Sequence, residues 1–180
     1  MPEDDAITIC TGSVEDIDTL CAIDLETAEL FERAGLRIDI PDDHEFSLHE
    51  RTRWLQSLAA RRTLLARDEA GAIVGFAASG ELDGEPYLEQ LSVRMSAMRR
   101  GIGTQLLSAA IDLAKCEQAH ALWLTTYAHL PWNRLFYEQH GFVLVPTGEY
   151  RAGIAGEIEF QRRWLPRPEQ RVVMRRPLDV

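Results

Sequence analysis

No run in this 180-residue chain comes near the ~18 consecutive apolar residues that a membrane helix needs, so no membrane partner is expected. Cysteine is scarce. Cys10, Cys21 and Cys116 are odd in number and show no C-x-x-C spacing, which speaks against a disulfide framework or a thiolate metal set and leaves reduced, mostly buried thiols. The opening Met1-Pro2-Glu3-Asp4-Asp5 lacks the basic and apolar regions of a signal peptide, so a cytoplasmic protein is expected. Positive charge is also short. Lysine and arginine number 19 against 29 aspartate and glutamate, and the resulting net charge of -10 argues against nonspecific nucleic-acid binding.

An apolar fraction of 46% over this length suits one domain, 1–180, with a core of its own. The charge is uneven. Residues 1–50 hold 15 acidic side chains against Arg33 and Arg37, a balance of -13, whereas the remaining chain holds 14 against 17 and balances at +3. Solvated helix faces alone account for such acidity; a cleft that takes a cationic partner accounts for it as well.

The most informative stretch is Arg99-Arg100-Gly101-Ile102-Gly103-Thr104. It follows an extended apolar segment, 87–93, and opens an amphipathic helix. Two glycines one residue apart allow a tight turn and clear side chains from a ligand's path. The helix start adds unpaired N–H groups and the positive end of its dipole, which makes an anion site, most naturally for phosphate. Two common nucleotide loops do not fit. A dinucleotide loop needs a third glycine where Leu106 stands, and a P-loop needs lysine and a hydroxyl residue where Thr104 and Gln105 stand.

Periodicity organises the rest. Short strands are expected at 6–10, 64–67, 72–79, 87–93, 121–127, 142–145 and 171–175, with a hairpin around Asp68-Glu69-Ala70-Gly71. Ser13 with Asp16 starts a helix that carries Val14, Ile17, Leu20, Cys21, Leu25 and Ala28 at helical spacing. A second helix is expected at 46–60. A third shows Ile102, Leu106, Leu107, Ala110, Ile111 and Ala114 on one face. Pro131 marks the start of a fourth and Gly141 its stop. A fifth, 150–163, is weakened by Gly153 and Gly156. The order describes an α/β domain with a mixed central sheet flanked by helices, and the helix between 93 and 121 makes its two strands parallel.

Strand, short basic loop, Gly-x-Gly and helix together resemble the pyrophosphate loop of the GNAT superfamily of N-acetyltransferases, Gln/Arg-x-x-Gly-x-Gly/Ala. Met98 stands at its first position. A second segment, 129–142, resembles that superfamily's later motif in Tyr137-Glu138-x-x-Gly141-Phe142, with Leu130 where an asparagine is usual and Asn133 four residues before Tyr137. Pro131-Trp132-Asn133-x-x-Phe136-Tyr137 is similar to a Pro-Trp-Asn-x-x-Phe-Tyr subgroup of the same superfamily, and 171–176 resembles that subgroup's last strand.

The resemblance implies the fold of that superfamily and acetyl-CoA as donor. The backbone of Leu91 and Val93 would pair with the pantetheine arm. Arg99, Arg100, Gly101, Ile102, Gly103 and Thr104 would hold the pyrophosphate, with Arg94, Arg99 or Arg100 as charged donors. Asn133 and Tyr137, at i and i+4, face one cleft, and Asn133 counts with the cofactor residues. Tyr137 is the expected acid for the departing thiolate. Glu89 is the expected base, a carboxylate inside a central strand that shares a face with Tyr87, Leu91 and Val93; a salt bridge is its competing reading. Glu85, Tyr127 and His129 stand in reserve. Asp42-Asp43-His44-Glu45 and His49 lack a metal spacing, so no metal is expected there. The implied reaction is acetyl transfer to a primary amine of a small molecule or peptide, by direct attack in a ternary complex. The amine acceptor would be cationic if the acidic loop borders the cleft, and a homodimer is compatible with such a domain. A catalytically inactive acyl-CoA sensor on the same fold is the alternative.

Overall fold

The computed structural model of the protein describes residues 6–179. Its strands are β1 (Thr8–Thr11), β2 (Thr63–Arg67), β3 (Ile73–Leu82), β4 (Glu85–Val93), β5 (Ala121–Tyr127), β6 (Val143–Leu144) and β7 (Arg171–Pro177). Its α-helices are α1 (Ile17–Arg33), α2 (Glu45–Ala59), α3 (Ile102–Cys116), α4 (Arg134–Gln139) and α5 (Ala152–Trp164). The strands form one mixed seven-stranded sheet in the order β1-β2-β3-β4-β5-β7-β6. Among the described residues only β4 and β5 run parallel, because α3 returns the chain between them.

Turn chemistry sets the first half of the sheet. Between β2 and β3, Gly71 takes φ 81 and the Asp68 carboxylate accepts the Ala72 N–H at 2.8 Å. Between β3 and β4 the two-residue turn Asp83-Gly84 has φ values of 55 and 77, the paired positive angles of a type I′ hairpin. That Asp-Gly signal lengthens both strands beyond the 72–79 and 87–93 expected from apolar pattern alone.

The helices cover both faces. On one, α3 buries Ile102, Leu106, Leu107, Ala110, Ile111 and Ala114, the six positions read from sequence, against Leu88, Leu122 and Met174. Each large aliphatic side chain there contributes roughly 1.5–3 kcal/mol. On the other, α1 and α2 close over Leu65 and Phe76, and α5 closes over Tyr87 and Trp123. Rings of α2 and α5 meet directly, with Phe46 stacked on Phe160 at 5.9 Å.

Two expectations change. The helix after Pro131 begins three residues later, at Arg134, because residues 131–133 form a turn that ends in Asn133 at φ -100, ψ -86. α5 is a full helix despite its glycines. The Asp83 carboxylate accepts the Gly153 and Ile154 N–H groups at 2.8 and 3.0 Å, an N-terminal cap supplied by the β3–β4 turn. A Cβ on Gly153 would lie 2.9 Å from Asp83 Oδ1, so this glycine permits the cap. Among the described residues no helix is long and apolar enough to cross a membrane.

Candidate active site

The sheet forks at its centre. β4 and β5 pair only through Tyr87 with Trp123 and Leu88 with Leu124. Beyond that point β4 stays with β3 and β5 stays with β7, so the edges of 89–93 and 125–127 that face each other have no ladder partner. A cavity of about 200 Å³ opens at the fork, with Leu88, Leu91, Leu124 and Thr126 in its wall.

A bulge marks the fork. Ala78 pairs with Gln90 and Ser79 with Leu88, so Glu89 has no residue opposite. An extra residue flips the alternation of side chains. Glu89 therefore shares the helix α1–α2 face with Tyr87, as expected, but Leu91 and Val93 turn to the α3 side and join its apolar cluster. The expected common face for all four is thus corrected. Gln90 and Ser92 now point at α1, where both hydrogen-bond the Asp24 carboxylate, at 2.5 and 3.2 Å.

The glycine loop lies beside the open β4 edge. Arg99 and Gly101 have positive φ, 62 and 73, and α3 starts at Ile102 with no side-chain cap. A Cβ on Gly101 would meet nothing within 4 Å, so glycine serves the backbone angle there and the loop faces open space. A Cβ on Gly103 would lie at ordinary contact distance from Phe136 and Val93. Uncapped N–H groups of residues 102–104, the dipole and the exposed Arg99 and Arg100 suit a diphosphate. Arg94 does not join them. Its guanidinium is held by Glu26 at 2.9 Å and by the Ile73 carbonyl at 3.0 Å.

Across the fork α4 and the turn before it bring Tyr137 and Asn133 to the cavity wall, four residues apart as their spacing suggests. The Tyr137 ring packs edge-on against Phe136 and Phe142. Its hydroxyl takes no hydrogen bond from the described residues. Burial lifts the phenol well above its ordinary value, with Arg171 acting against the rise, so the group holds its proton.

The opposite wall is lined with ionisable groups. Arg53 donates from Nε to Glu89 Oε2 at 2.7 Å and from Nη2 to Glu89 Oε1, and its guanidinium lies 5.7 Å from the Tyr87 ring centre. A Cβ on Gly80 would collide with Glu89 Oε1, so that glycine makes room for the pair. Burial raises the Glu89 carboxyl to about 7 even against the pull of Arg53. The salt bridge weighed from the sequence is therefore present. Burial likewise raises Asp24 to about 6, offset by its bonds to Ser92 and Gln90.

Glu50 differs from both. It lies on the cavity wall but has no hydrogen bond or ion pair among the described residues. Burial, then Glu157, Glu89 and Asp24, push its carboxyl to about 8, against the pull of Arg171. Arg171 is 8% exposed. Its Nη2 donates to Gln161 Oε1 at 2.5 Å and Thr125 Oγ1 at 2.9 Å, and its guanidinium lies 4.7 Å from the Tyr127 ring centre. Among the described residues it has no ion-pair partner, its Nε is buried without a hydrogen bond, and burial lowers its pKa.

The reserve residues scatter. Tyr127 is in the wall, with its hydroxyl on the Pro166 carbonyl at 2.7 Å and burial raising it to about 12. Glu85 is at the far end of β4, where it accepts the His120 and Ala121 N–H groups. His129 buries both ring nitrogens without partners among the described residues, away from the cavity wall. Asp42 borders a second hollow of about 540 Å³ between α1 and α2, which shares Asp24, Ala28, Ile38, Phe46 and Glu50 with the first. His44 caps α2, its Nδ1 accepting the Phe46 N–H. His49, Glu50 and Glu157 have potential ligand atoms within 4.8 Å of one another, a grouping the linear spacing hid; His49 and Glu157 are 3.2 Å apart.

Asp24 and Glu50 belong to no motif in the sequence, and Arg171 stands there only as the first residue of a last strand, with no site role expected of it. A signal existed for the first two: each interrupts a buried helical stripe, Asp24 after Leu20 and Glu50 between Phe46 and Trp54.

A mixed sheet forked between two parallel strands, with an uncapped helix start beside the fork, defines the class of α/β protein at hand. Residues 25–142 match the acetyltransferase (GNAT) family, and the chain belongs to that family. Solved structures agree on the fold. An acetyltransferase of the GNAT family from Staphylococcus aureus Mu50 matches at a TM-score of 0.71 and 20% identity, over 97% of this chain and 100% of its own. PaiA N-acetyltransferase from Thermoplasma acidophilum, in complex with coenzyme A, matches at 0.67 and 16%, over 96% and 99%. Ribosomal-protein-alanine N-acetyltransferase from Brucella melitensis matches at 0.64 and 22%, over 95% and 99%.

Proposed function

We propose that the protein is an N-acetyltransferase that moves an acetyl group from acetyl-CoA to a primary amine in a ternary complex, and that it belongs to the Pro-Trp-Asn-x-x-Phe-Tyr subgroup. The observation that carries this reading is the fork itself: an unpaired strand edge, 89–93, runs toward an uncapped helix start at Gly101–Thr104. Leu91 and Val93 would hold the pantetheine arm with main-chain groups. Arg99, Arg100 and the 101–104 backbone would hold the pyrophosphate, with Asn133 beside the arm. Acetyl-CoA supplies an activated acyl carbon at the fork.

The chain's own residues handle protons. An alkyl ammonium must lose one before it attacks, since its ordinary pKa is ~10.4. Glu89 and Glu50 both face the cavity with carboxyls raised toward neutrality. Glu89 must loosen its bond to Arg53 to accept a proton, whereas Glu50 has no such tie. Tyr137 keeps its proton for the sulfur that leaves. The C–N bond forms as the C–S bond breaks, giving an amide, a thiol and one proton to solvent. Three free cysteines, Cys10, Cys21 and Cys116, support a reducing cytoplasmic setting.

Calorimetric titration of acetyl-CoA into the wild type and Gly101→Glu tests the donor site. A carboxylate in the loop is expected to weaken binding about 100-fold or more. Equal affinity in the two proteins would remove the loop from the site.

A further inference from the structure

The cavity holds a guanidinium and a carboxyl that bond to no group of opposite charge among the described residues. Arg171 is fixed by neutral groups alone: Gln161 and Thr125 orient its Nη2, and the Tyr127 ring lies beneath it. Gln161 is itself held, since it accepts from Thr125 at 2.7 Å and donates to Glu157 at 2.9 Å. The guanidinium is thus aimed before any ligand arrives. A buried cation without an acid beside it is costly, and proteins ordinarily supply the acid. Here the nearby carboxylates are unsuitable or too far to bond. Glu157 serves His49 and Gln161, and Glu50 acts on Arg171 only through space. Arg171 Nη1 donates to none of the described residues.

Glu50 is the opposite case in the same cavity. It extends from α2 between Phe46 and Trp54 and meets no donor among the described residues. Asp24 is close enough to raise its pKa but is satisfied by Gln90 and Ser92. Among the described residues, one guanidinium and one carboxyl without a bonding partner of opposite charge therefore share a small enclosure, and Phe31, Ile38 and Leu165 complete its wall with apolar surface.

We propose that the amine acceptor is a small zwitterion, an amino acid with an apolar side chain, whose carboxylate sits on Arg171 and whose ammonium sits on Glu50; this rests on the transferase reading above. Such a molecule leaves neither charge unmatched. A simple alkyl amine would satisfy Glu50 and leave Arg171 bare, and a diamine would add a second cation beside it. Guanidinium is suited to the carboxylate because it offers several N–H donors in a fixed plane. The contact with Glu50 puts the ammonium against a carboxyl able to take its proton. Arg171 is here a specificity residue.

The test compares acceptors that differ only in the carboxylate. L-methionine and L-phenylalanine are set against L-methioninamide, L-phenylalaninamide and phenethylamine, with acetyl-CoA present and thiol release as readout. The free acids are expected to have kcat/KM roughly 10- to 100-fold above the amides, the usual effect of one charged hydrogen-bonded contact. Arg171→Gln is expected to erase that ratio by raising KM for the acids alone, and Arg171→Lys to restore part of it. Equal use of acids and amides by the wild type overturns the proposal. So does an Arg171→Gln protein that loses kcat equally on every acceptor, because Arg171 would then act on the donor end. Should Arg171→Gln fail to fold, the wild-type comparison decides alone. Calorimetry of L-methionine and L-methioninamide with the CoA-loaded protein separates the two readings. Tight binding of the acid without thiol release would sink the transferase and keep the subsite, whereas release on amides alone would keep the transferase and sink the subsite.

Discussion

The two sides of the fork are made in different ways. The side assigned to the donor comes, apart from Asn133, from one stretch of chain, 91–104, and works through backbone: an open strand edge, two positive-φ residues and an uncapped helix start. The side assigned to the acceptor comes from side chains on α1, α2, α5, β4 and β7, which lie up to about 150 residues apart in sequence and meet only in the fold. A backbone site is insensitive to side-chain identity, so many sequences can build it. A side-chain site of buried charges depends on each residue and can differ from one relative to the next.

Tyr137, on the shared boundary, should give the largest effect. Tyr137→Phe is expected to lower kcat about 1000-fold as a lost proton donor. Acetyl-CoA affinity should stay within about threefold, and the melting temperature should hold, since the hydroxyl bonds none of the described residues. A small kcat change would move the acid elsewhere.

Next come the two carboxylates that differ in pairing. Glu89→Gln strips Arg53 of its charge partner and should cost about 3 kcal/mol in urea unfolding. Glu50→Gln should do the reverse at pH 8. The Glu50 carboxyl titrates near 8 in the folded chain against an ordinary 4.5. Between those values the folded state holds a proton the unfolded state has released, so stability falls as pH rises across that window. The glutamine variant removes this slope and should be more stable than the wild type at pH 8 by on the order of 4 kcal/mol, with little difference near pH 4.5. Asp24 and Glu89 add to the slope up to about 6 and 7. In turnover, the rising limb of kcat/KM against pH should survive in whichever of the two glutamine variants keeps the base.

The smallest effect is expected at the cap of α5. Asp83→Ala leaves the Gly153 and Ile154 N–H groups open and should cost about 1 kcal/mol. Because α5 carries Gln161 and Glu157, the acceptor KM should rise while acetyl-CoA affinity stays fixed. An equal effect on both ligands would mean the two sides are not separate.

The same contrast explains what the chain revealed before folding. The α3 stripe and the glycine loop were legible because a local pattern encodes a local structure. The pairing of Asn133 with Tyr137 was legible for the same reason, as an i, i+4 spacing. The bulge at Glu89 was not, since it is a mismatch with β3 and leaves no mark on β4 itself; it reversed the side expected of Leu91 and Val93. Arg171 reads in the sequence only as the edge of a last strand. Its importance comes from β7 inserting between β5 and β6, which no local pattern announces. Gly153 looked like a helix breaker and proved to be the space for a distant aspartate.

The central claim is that one fork holds an acyl donor and an amine together. Thiol release from acetyl-CoA, measured across amines with and without a carboxylate and in the absence of any amine, tests it most directly. The account predicts release that depends on the acceptor, saturates with it and is lost in Tyr137→Phe. Tight acetyl-CoA binding with no release above the amine-free rate, for every acceptor, would contradict it.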